Sequence, residues 1–307
     1  MDSSLTPIQA RQYAEQTDLP RLSAFLMEVN DIFPSLSNWQ VGDLIWRLFL
    51  NTVFEPSKSI RLWEDRDGRL LGFACFESPD TLRTQIHPTL GGREQVLQAM
   101  VDWGLEQARA AQASETVTLQ TTASESDEAF AALLLRNGFV RSNDHYVHWQ
   151  QPLDDAALVG PQLPEGWQVR HVGDESEWQA RVDLHREVWQ SSKVTLEAYR
   201  RLRQAPFYRP DLDLVAVAPD GTLASYCIIW LDTHNRSGEF EPVGTRPAYR
   251  RQGIGKALLR EGLRRLRTLG AEIALVLSWS GSEPAGRLYA SAGFQVCGRE
   301  WVYELRQ

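Results

Sequence analysis

Two stretches of this chain end alike. Leu133-Leu134-Leu135-Arg136-Asn137-Gly138-Phe139 stands late in the first half, and Leu288-Tyr289-Ala290-Ser291-Ala292-Gly293-Phe294 late in the second. The Gly-Phe pairs lie 155 positions apart, His87-Pro88 and Arg246-Pro247 lie 159 apart, and Gly104-Leu105 and Gly262-Leu263 lie 158 apart. Three markers in one order at a near-constant offset imply a unit built twice, with the drift absorbed by small deletions. The 307 residues hold two such units, at about 100–200 residues per domain. The division falls between Gln151 and Gly166, where Pro152, Pro161 and Pro164 join Gly160 and the acids Asp154 and Asp155 without an apolar period. The expected organisation is therefore a first domain over 1–150, a linker over 151–164 and a second domain over 165–307.

The second copy reads clearly as an alternation of strands and helices. Trp167 to Val172 alternates as a strand, and Asp174 to Gln190 is helical, with Trp178, Val182, His185 and Trp189 at spacings of three and four. Thr195 is placed to cap a further helix through Gln204. Leu212–Ala218 and Leu223–Leu231 flank the turn Pro219-Asp220-Gly221-Thr222 as a hairpin, and Glu239–Thr245 is a third strand. Gly253–Leu269 is a helix with one apolar stripe (Ile254, Leu258, Leu259, Leu263, Leu266, Leu269), stopped by Gly270. Ile273–Leu277, a short helix Glu283–Ser291 and a strand Phe294–Leu305 complete the unit. The fold class is α/β: two tandem domains, each a mixed, mostly antiparallel sheet flanked by helices.

Composition narrows the function. Lys and Arg number 32 against 40 Asp and Glu, for a net charge of −8, which argues against nucleic acid as partner and leaves room for a cationic substrate. The longest wholly apolar run, Cys227–Leu231, is far short of a membrane span. Met1–Pro7 has neither the basic head nor the apolar core of a secretory signal. Cys75, Cys227 and Cys297 are scattered and odd in number, which suits a reducing, cytoplasmic setting and gives no structural zinc site. His145 and His148 face opposite ways on a strand, so no metal is expected. Of the eleven tryptophans, Trp39, Trp46 and Trp103 read as core; Trp189, Trp230 and Trp279 are core or acceptor-pocket candidates.

The chemistry concentrates in Val243-Gly244-Thr245-Arg246-Pro247-Ala248-Tyr249-Arg250-Arg251-Gln252-Gly253-Ile254-Gly255-Lys256-Ala257, a strand running into an Arg- and Gly-rich turn that opens a helix. The first amides of a helix have no partner within it, and its dipole adds partial positive charge, so such a turn suits phosphate. From Arg246 to Arg267 eight basic side chains meet one acid, Glu261; Arg260, Arg264, Arg265 and Arg267 among them read as a solvated face. A P-loop would need glycine where Arg250 stands and Ser or Thr at Ala257. A dinucleotide fingerprint beginning at Gly253 would need Gly or Ala at Leu258.

Arg250-x-x-Gly253-x-Gly255, with Leu288-Tyr289-x-x-x-Gly293-Phe294 downstream, resembles the GCN5-related N-acetyltransferases (the GNAT family) over about Gly166 to Leu305. Ser282 stands where that family often has Asn. The resemblance implies the acyl-CoA N-acyltransferase fold, with acetyl-CoA as donor lying in a wedge between two splayed strands. The pantetheine arm would pair with the backbone around Val243, Gly244 and Thr245, and amides from Arg251 to Ala257, flanked by Arg250 and Ser282, would hold the pyrophosphate. An amine would attack the thioester directly in a ternary complex, with a strand amide near Val243 meeting the oxyanion. Tyr289 is implied as the acid for the departing thiolate, and Glu239 aligns with the family's base. Glu241 is a second base candidate or a ligand for the substrate ammonium. Two residues apart on one strand, the two glutamates are expected on the face shared by Val243 and Thr245, each raising the other's pKa. His234 is a lesser candidate.

At the matching place the first copy reads His87-Pro88-Thr89-Leu90-Gly91-Gly92-Arg93-Glu94, with Glu94 where phosphate would sit and Leu134 in place of Tyr289. It is expected to be a degenerate domain that does not turn over, and one productive CoA site per chain follows. A tandem with the active unit second is similar in arrangement to the mycothiol synthases. The expected partner is a small-molecule or peptide amine, with no nucleic acid or membrane, and the chain is expected to be a monomer or homodimer. The alternatives are a non-catalytic CoA-binding or regulatory protein, or nucleic-acid binding through the Arg-rich helix, which the acidic chain disfavours.

Overall fold

The computed structural model describes residues 8–32, 39–50, 52, 55–77, 79–112, 116–154 and 160–307. The expectations placed on Met1–Pro7 and on 155–159 of the linker lie outside the described residues. The first half runs β1 (Gln9–Gln12), α1 (Glu15–Ile32), α2 (Val41–Ile45) with a π-helical turn Trp46–Leu50, α3 (Pro56–Ser59), β2 (Ile60–Glu64), β3 (Leu70–Glu77), β4 (Thr81–Ile86), α4 (Arg93–Gln112), β5 (Thr118–Ser124), α5 (Glu128–Arg136) and β6 (Val140–Pro152). The second runs β7 (Gln168–His171), α6 (Glu175–Val188), α7 (Leu196–Leu202), β8 (Asp213–Val217), β9 (Leu223–Asp232), β10 (Ser237–Thr245), α8 (Ile254–Thr268), β11 (Ile273–Trp279), α9 (Glu283–Ala292) and β12 (Gln295–Arg306). Among the described residues no helix is long and apolar enough to cross a membrane.

The chain forms two compact units, and they exchange chain segments. One comprises residues 1–39, 54–147 and 298–307; the other comprises 40–53 and 148–297. The expected division at 151–164 thus follows the sequence, whereas the units cross it at two places. Val41, Leu44, Ile45 and Leu50 are buried with the second unit, and Tyr303 and Leu305 are buried in the core cluster of the first. The expected linker also starts late: Gln151 and Pro152 are still strand, and the Leu153 amide donates to Glu272 O at 2.8 Å.

In the first unit the strand order is β1-β2-β3-β4-β5-β12, antiparallel except where β4 meets β5 at Thr81 and Gln120. In the second, β11-β10-β9-β8-β7 lie in sequence with β10 and β11 parallel and the rest antiparallel. Both are mixed, mostly antiparallel sheets flanked by helices. The repeated Gly-Leu marker has a packing cause in each copy. A Cβ on Gly262 would lie 2.5 Å from the Phe240 ring, and one on Gly104 would lie 2.8 Å from Leu82, so each helix sits close on its sheet only with glycine there.

The second unit carries two layers. On one face α8 buries Ile254, Leu258, Leu259, Leu263 and Leu266 against Cys227, Ile229 and Phe240. The opposite face includes a buried ion pair. Arg181 Nε donates to Asp213 Oδ1 at 3.1 Å, and the Tyr199 and Tyr208 hydroxyls donate to Asp213 Oδ2 at 2.7 and 2.9 Å. The Arg181 guanidinium lies 3.7 Å from the ring centre of Tyr226. Thr195 caps α7 as expected, its hydroxyl accepting from the Ala198 amide at 3.1 Å.

Candidate functional site

The site starts where two strands part. β10 and β11 pair in parallel only from Ser237–Ile273 to Glu239–Leu275. β10 then bulges: Phe240 faces Ile229 but Val243 faces Cys227, so three steps on β10 match two on β9. Pro242 occupies the bulge, joined to Glu241 by a cis peptide. Beyond it, β10 keeps its pairing with β9 through Val243, Gly244 and Thr245 while β11 has left its other edge. That edge is the wedge that the family resemblance implied.

The bulge also overturns an expectation about faces. A strict period of two would put Glu239, Glu241, Val243 and Thr245 on one side. The extra residue turns Val243 into the α8-side core, and Thr245 Oγ1 comes within 3.2 Å of where a Cβ of Gly255 would be. Glu239 lies on the opposite face, paired across β9 with Trp230 and abutting Gly42.

The turn 250–253 opens α8. Arg251 and Gly253 have φ of +62° and +80°, left-handed values that glycine adopts without penalty. A Cβ on Gly253 would meet nothing within 4 Å, so this glycine answers a backbone demand and leaves open space before it. The amides of Arg251, Gln252, Gly253, Ile254, Gly255 and Lys256 donate to no described residue. The expected donor run is one residue too long, because the Ala257 amide donates to Gly253 O at 3.0 Å and starts the helix. Six consecutive free N–H groups at a helix head fit a diphosphate. Of the flanking cations, Arg250 Nε donates to Thr245 O at 3.0 Å, and Arg246 is engaged with Glu187 and with Leu223 O. Gln252 Nε2 donates to Ala248 O at 3.0 Å. Ser282 occupies the N-cap position of α9, and its hydroxyl makes no capping hydrogen bond.

Tyr289 lies on α9, 6% exposed, with its ring edge-on to Trp149 at 6.2 Å and tilted against Phe294 at 6.1 Å. Its hydroxyl makes no hydrogen bond to a described residue. Burial first, and the nearby Glu241 charge second, hold the phenol above its ordinary pKa, so it stays protonated. Glu239 is 7% exposed, and its Oε2 is buried without a hydrogen-bond partner among the described residues. Desolvation raises its pKa well above the carboxylate range, and Asp43 and Glu241 raise it further against the opposing Arg47. Glu241 is half-buried and pushed up to about 8 by desolvation and then Asp43, again opposed by Arg47. The expected mutual effect runs one way: Glu241 raises Glu239, whereas Glu241 is raised by burial and Asp43, and burial leads at both.

Asp43, Arg47 and Gly42 have no precedent in the sequence reading. Nothing local marks them, since Val41, Leu44 and Ile45 give α2 only an ordinary apolar face. His234 is exposed in the turn before β10, its amide donating to Asp232. Trp39 and Trp103 are core as expected, Trp46 packs on His185 at 5.4 Å, and Trp230 is buried with Nε1 donating to Glu241 O at 2.7 Å. Trp189 is 47% exposed, and its indole N–H donates to the Tyr226 hydroxyl at 2.8 Å. Trp279, at the end of β11, is 36% exposed. In the first unit the counterpart residues are otherwise engaged: Glu94 pairs with Arg136, and Leu134 is fully buried.

Comparison with known proteins agrees with this geometry. The acetyltransferase (GNAT) family model matches residues 176–294. A mycothiol acetyltransferase of Kineococcus radiotolerans is 30% identical over 180 residues, covering 56% of this chain and 57% of that relative. The chain thus spans little more than half the length of that protein. A mycothiol acetyltransferase of Thermobispora bispora is 28% identical over 241 residues, covering 73% of this chain and 76% of the relative. Among solved structures, a tandem GNAT protein from the clavulanic acid biosynthesis pathway superposes with a TM-score of 0.68 at 18% identity, over 98% of both chains.

Proposed function

Because the chain belongs to the GNAT family of N-acetyltransferases, in a tandem arrangement like that of mycothiol synthase, we propose that its second unit moves an acetyl group from acetyl-CoA to a primary amine. The observation that carries this is the run of six unpaired amides, 251–256, beside the open edge of β10. The amides hold the diphosphate, and the backbone of Val243–Thr245 takes the pantetheine arm as an added strand. Acetyl-CoA, when bound, supplies the acyl group as a thioester at the bulge.

Glu241 or Glu239 removes the proton from the acceptor ammonium, whose pKa is about 10. With Glu241 raised to about 8, the gap between base and ammonium is about two pKa steps rather than six, which eases the transfer. The freed amine forms the new C–N bond while a β10 amide beside Pro242 meets the oxyanion, and as the C–S bond breaks the nitrogen releases its second proton to water. Tyr289 gives its proton to the departing sulfur and recovers one from solvent. The first unit, lacking both the Gly-x-Gly turn and the tyrosine, does not turn over.

The acceptor is a primary amine on a small molecule or peptide, and the relatives' name makes amines from mycothiol assembly the first to try. The test is calorimetric titration with CoA followed by a thiol-release assay on a panel of amino sugars, polyamines, aminoglycosides, lysine amide and N-terminal peptides. One CoA site per chain and amine-dependent thiol release are expected. Binding without release by any amine would favour a regulatory CoA protein, and absence of CoA binding would overturn the assignment.

A further inference from the structure

A short run from the first half of the chain, Val41–Leu50, belongs to the second unit and reaches its acid pair. A Cβ on Gly42 would lie 2.3 Å from Cδ1 of Trp230 and 2.6 Å from Oε2 of Glu239, so α2 rests directly on the carboxyl. The next residue is Asp43, and Arg47 follows one turn later. Arg47 Nη1 donates to Asp43 O at 3.1 Å and to Asp43 Oδ1 at 3.3 Å, and Asp43 Oδ2 accepts from the Gln40 amide at 3.0 Å. Each side chain is only 18% exposed. An ion pair is therefore fixed beside a buried carboxyl whose own Oε2 has no hydrogen-bond partner among the described residues.

We propose that Asp43 and Arg47 are positioning residues for the acid pair Glu239–Glu241, delivered from the other half of the chain, and that together they set how readily the site accepts the acceptor's proton. This rests on the reading of Glu239 and Glu241 as proton acceptors. In the transfer one N–H bond of the ammonium breaks, one O–H bond forms on a glutamate, and water later carries the proton away.

Among the described residues, the charged and titratable groups around the pair are few. Asp43 and Arg47 face it from α2 and the turn after it, Tyr226 from β9 and Tyr289 from α9 act on Glu241, and Asp232 lines the same recess as Glu239. Arg181 of α6 is held over Tyr226 and paired with Asp213. Asp43 disfavours ionisation of both glutamates and Arg47 favours it. The two effects have opposite sign, which gives the test its control.

The experiment is a 13C NMR titration of the full chain labelled in its glutamate carboxyls, with Glu239→Gln and Glu241→Gln assigning the two resonances. In the unsubstituted protein both should titrate above the ordinary carboxylate range. Asp43→Asn, which can still accept from the Gln40 amide, should lower the midpoints by about one pH unit, and Arg47→Gln should raise them by a similar amount. Arg47→Lys should restore the original midpoints. Midpoints that stay fixed, or that move the same way in both variants as simple loosening would make them do, overturn the proposal. CoA binding and thiol release on the same samples separate the two readings. Opposite shifts in a protein that transfers nothing would sustain the charge coupling and refute the transferase, whereas fixed midpoints in an active enzyme would refute the coupling alone.

Discussion

Gly253→Ala separates the two demands on the head of α8. Residue 253 sits at φ +80°, and the added methyl meets no atom within 4 Å, so the folding cost is that of the backbone alone. A non-glycine residue in the left-handed region costs about 1–2 kcal/mol, or roughly 2–8 °C in Tm for a unit of this size. The cost to binding has a different origin. The methyl projects beside amides 251–256, where the diphosphate is proposed to lie, and would push it from one or two of them. At about 1.5–3 kcal/mol for each hydrogen bond to a charged group, or about 1.5–6 kcal/mol for one or two, CoA affinity should fall roughly 10- to 25,000-fold. Calorimetry with CoA and with pantetheine, which lacks the diphosphate, reads this directly. CoA should weaken and pantetheine should not, and Gly253→Asn should recover part of the Tm because asparagine tolerates the left-handed region. Equal loss for both ligands, or unchanged CoA affinity alongside a lowered Tm, would refute the placement of the diphosphate.

Other perturbations give sharp outcomes. Tyr289→Phe should reduce kcat about 100- to 10,000-fold with CoA affinity within twofold, measured by thiol release and calorimetry. Glu241, ordinarily near 4.5 and raised to about 8 when folded, binds more proton in the native state between those values, so stability should fall as pH rises through that window. Urea unfolding at pH 5, 7 and 9 should show Glu241→Gln with a shallower decline and more stable than the parent at pH 9. Asp213→Asn leaves the buried Arg181 guanidinium without its counter-charge and should cost about 3–5 kcal/mol by urea unfolding. Replacing Arg181 with Met in the same chain should recover part of that loss.

Local chemistry was legible in the sequence, and distant pairing was not. The turn 250–255, the stripe of α8, the capping Thr195 and the hairpin at Asp220-Gly221 each depend on residues within a few positions, so the sequence displays them. The exchange of 40–53 and 298–307 depends on partners far away in the chain. Val41, Leu44 and Ile45 look the same whichever unit buries them. Asp43 and Arg47 were missed for that reason. The bulge in β10 was available: Pro242 has no N–H for a strand ladder, and a proline inside a strand marks an edge or a bulge. Counting strict alternation through it put Glu239 on the wrong face. The duplication was visible because Gly104 and Gly262 answer the same steric demand in both copies.

The pairing of β5 with residues 300–306 of β12 bears on how the protein is made. On the ribosome, β5 is complete at Ser124, yet the strand that covers its edge is translated some 175 residues later. At about 5–20 residues per second that edge waits roughly 10–35 s, open to any passing strand. A nascent first half should therefore need a chaperone more than its apolar content suggests, and a stop codon shortly before Gly298 should injure the opposite end of the gene product first.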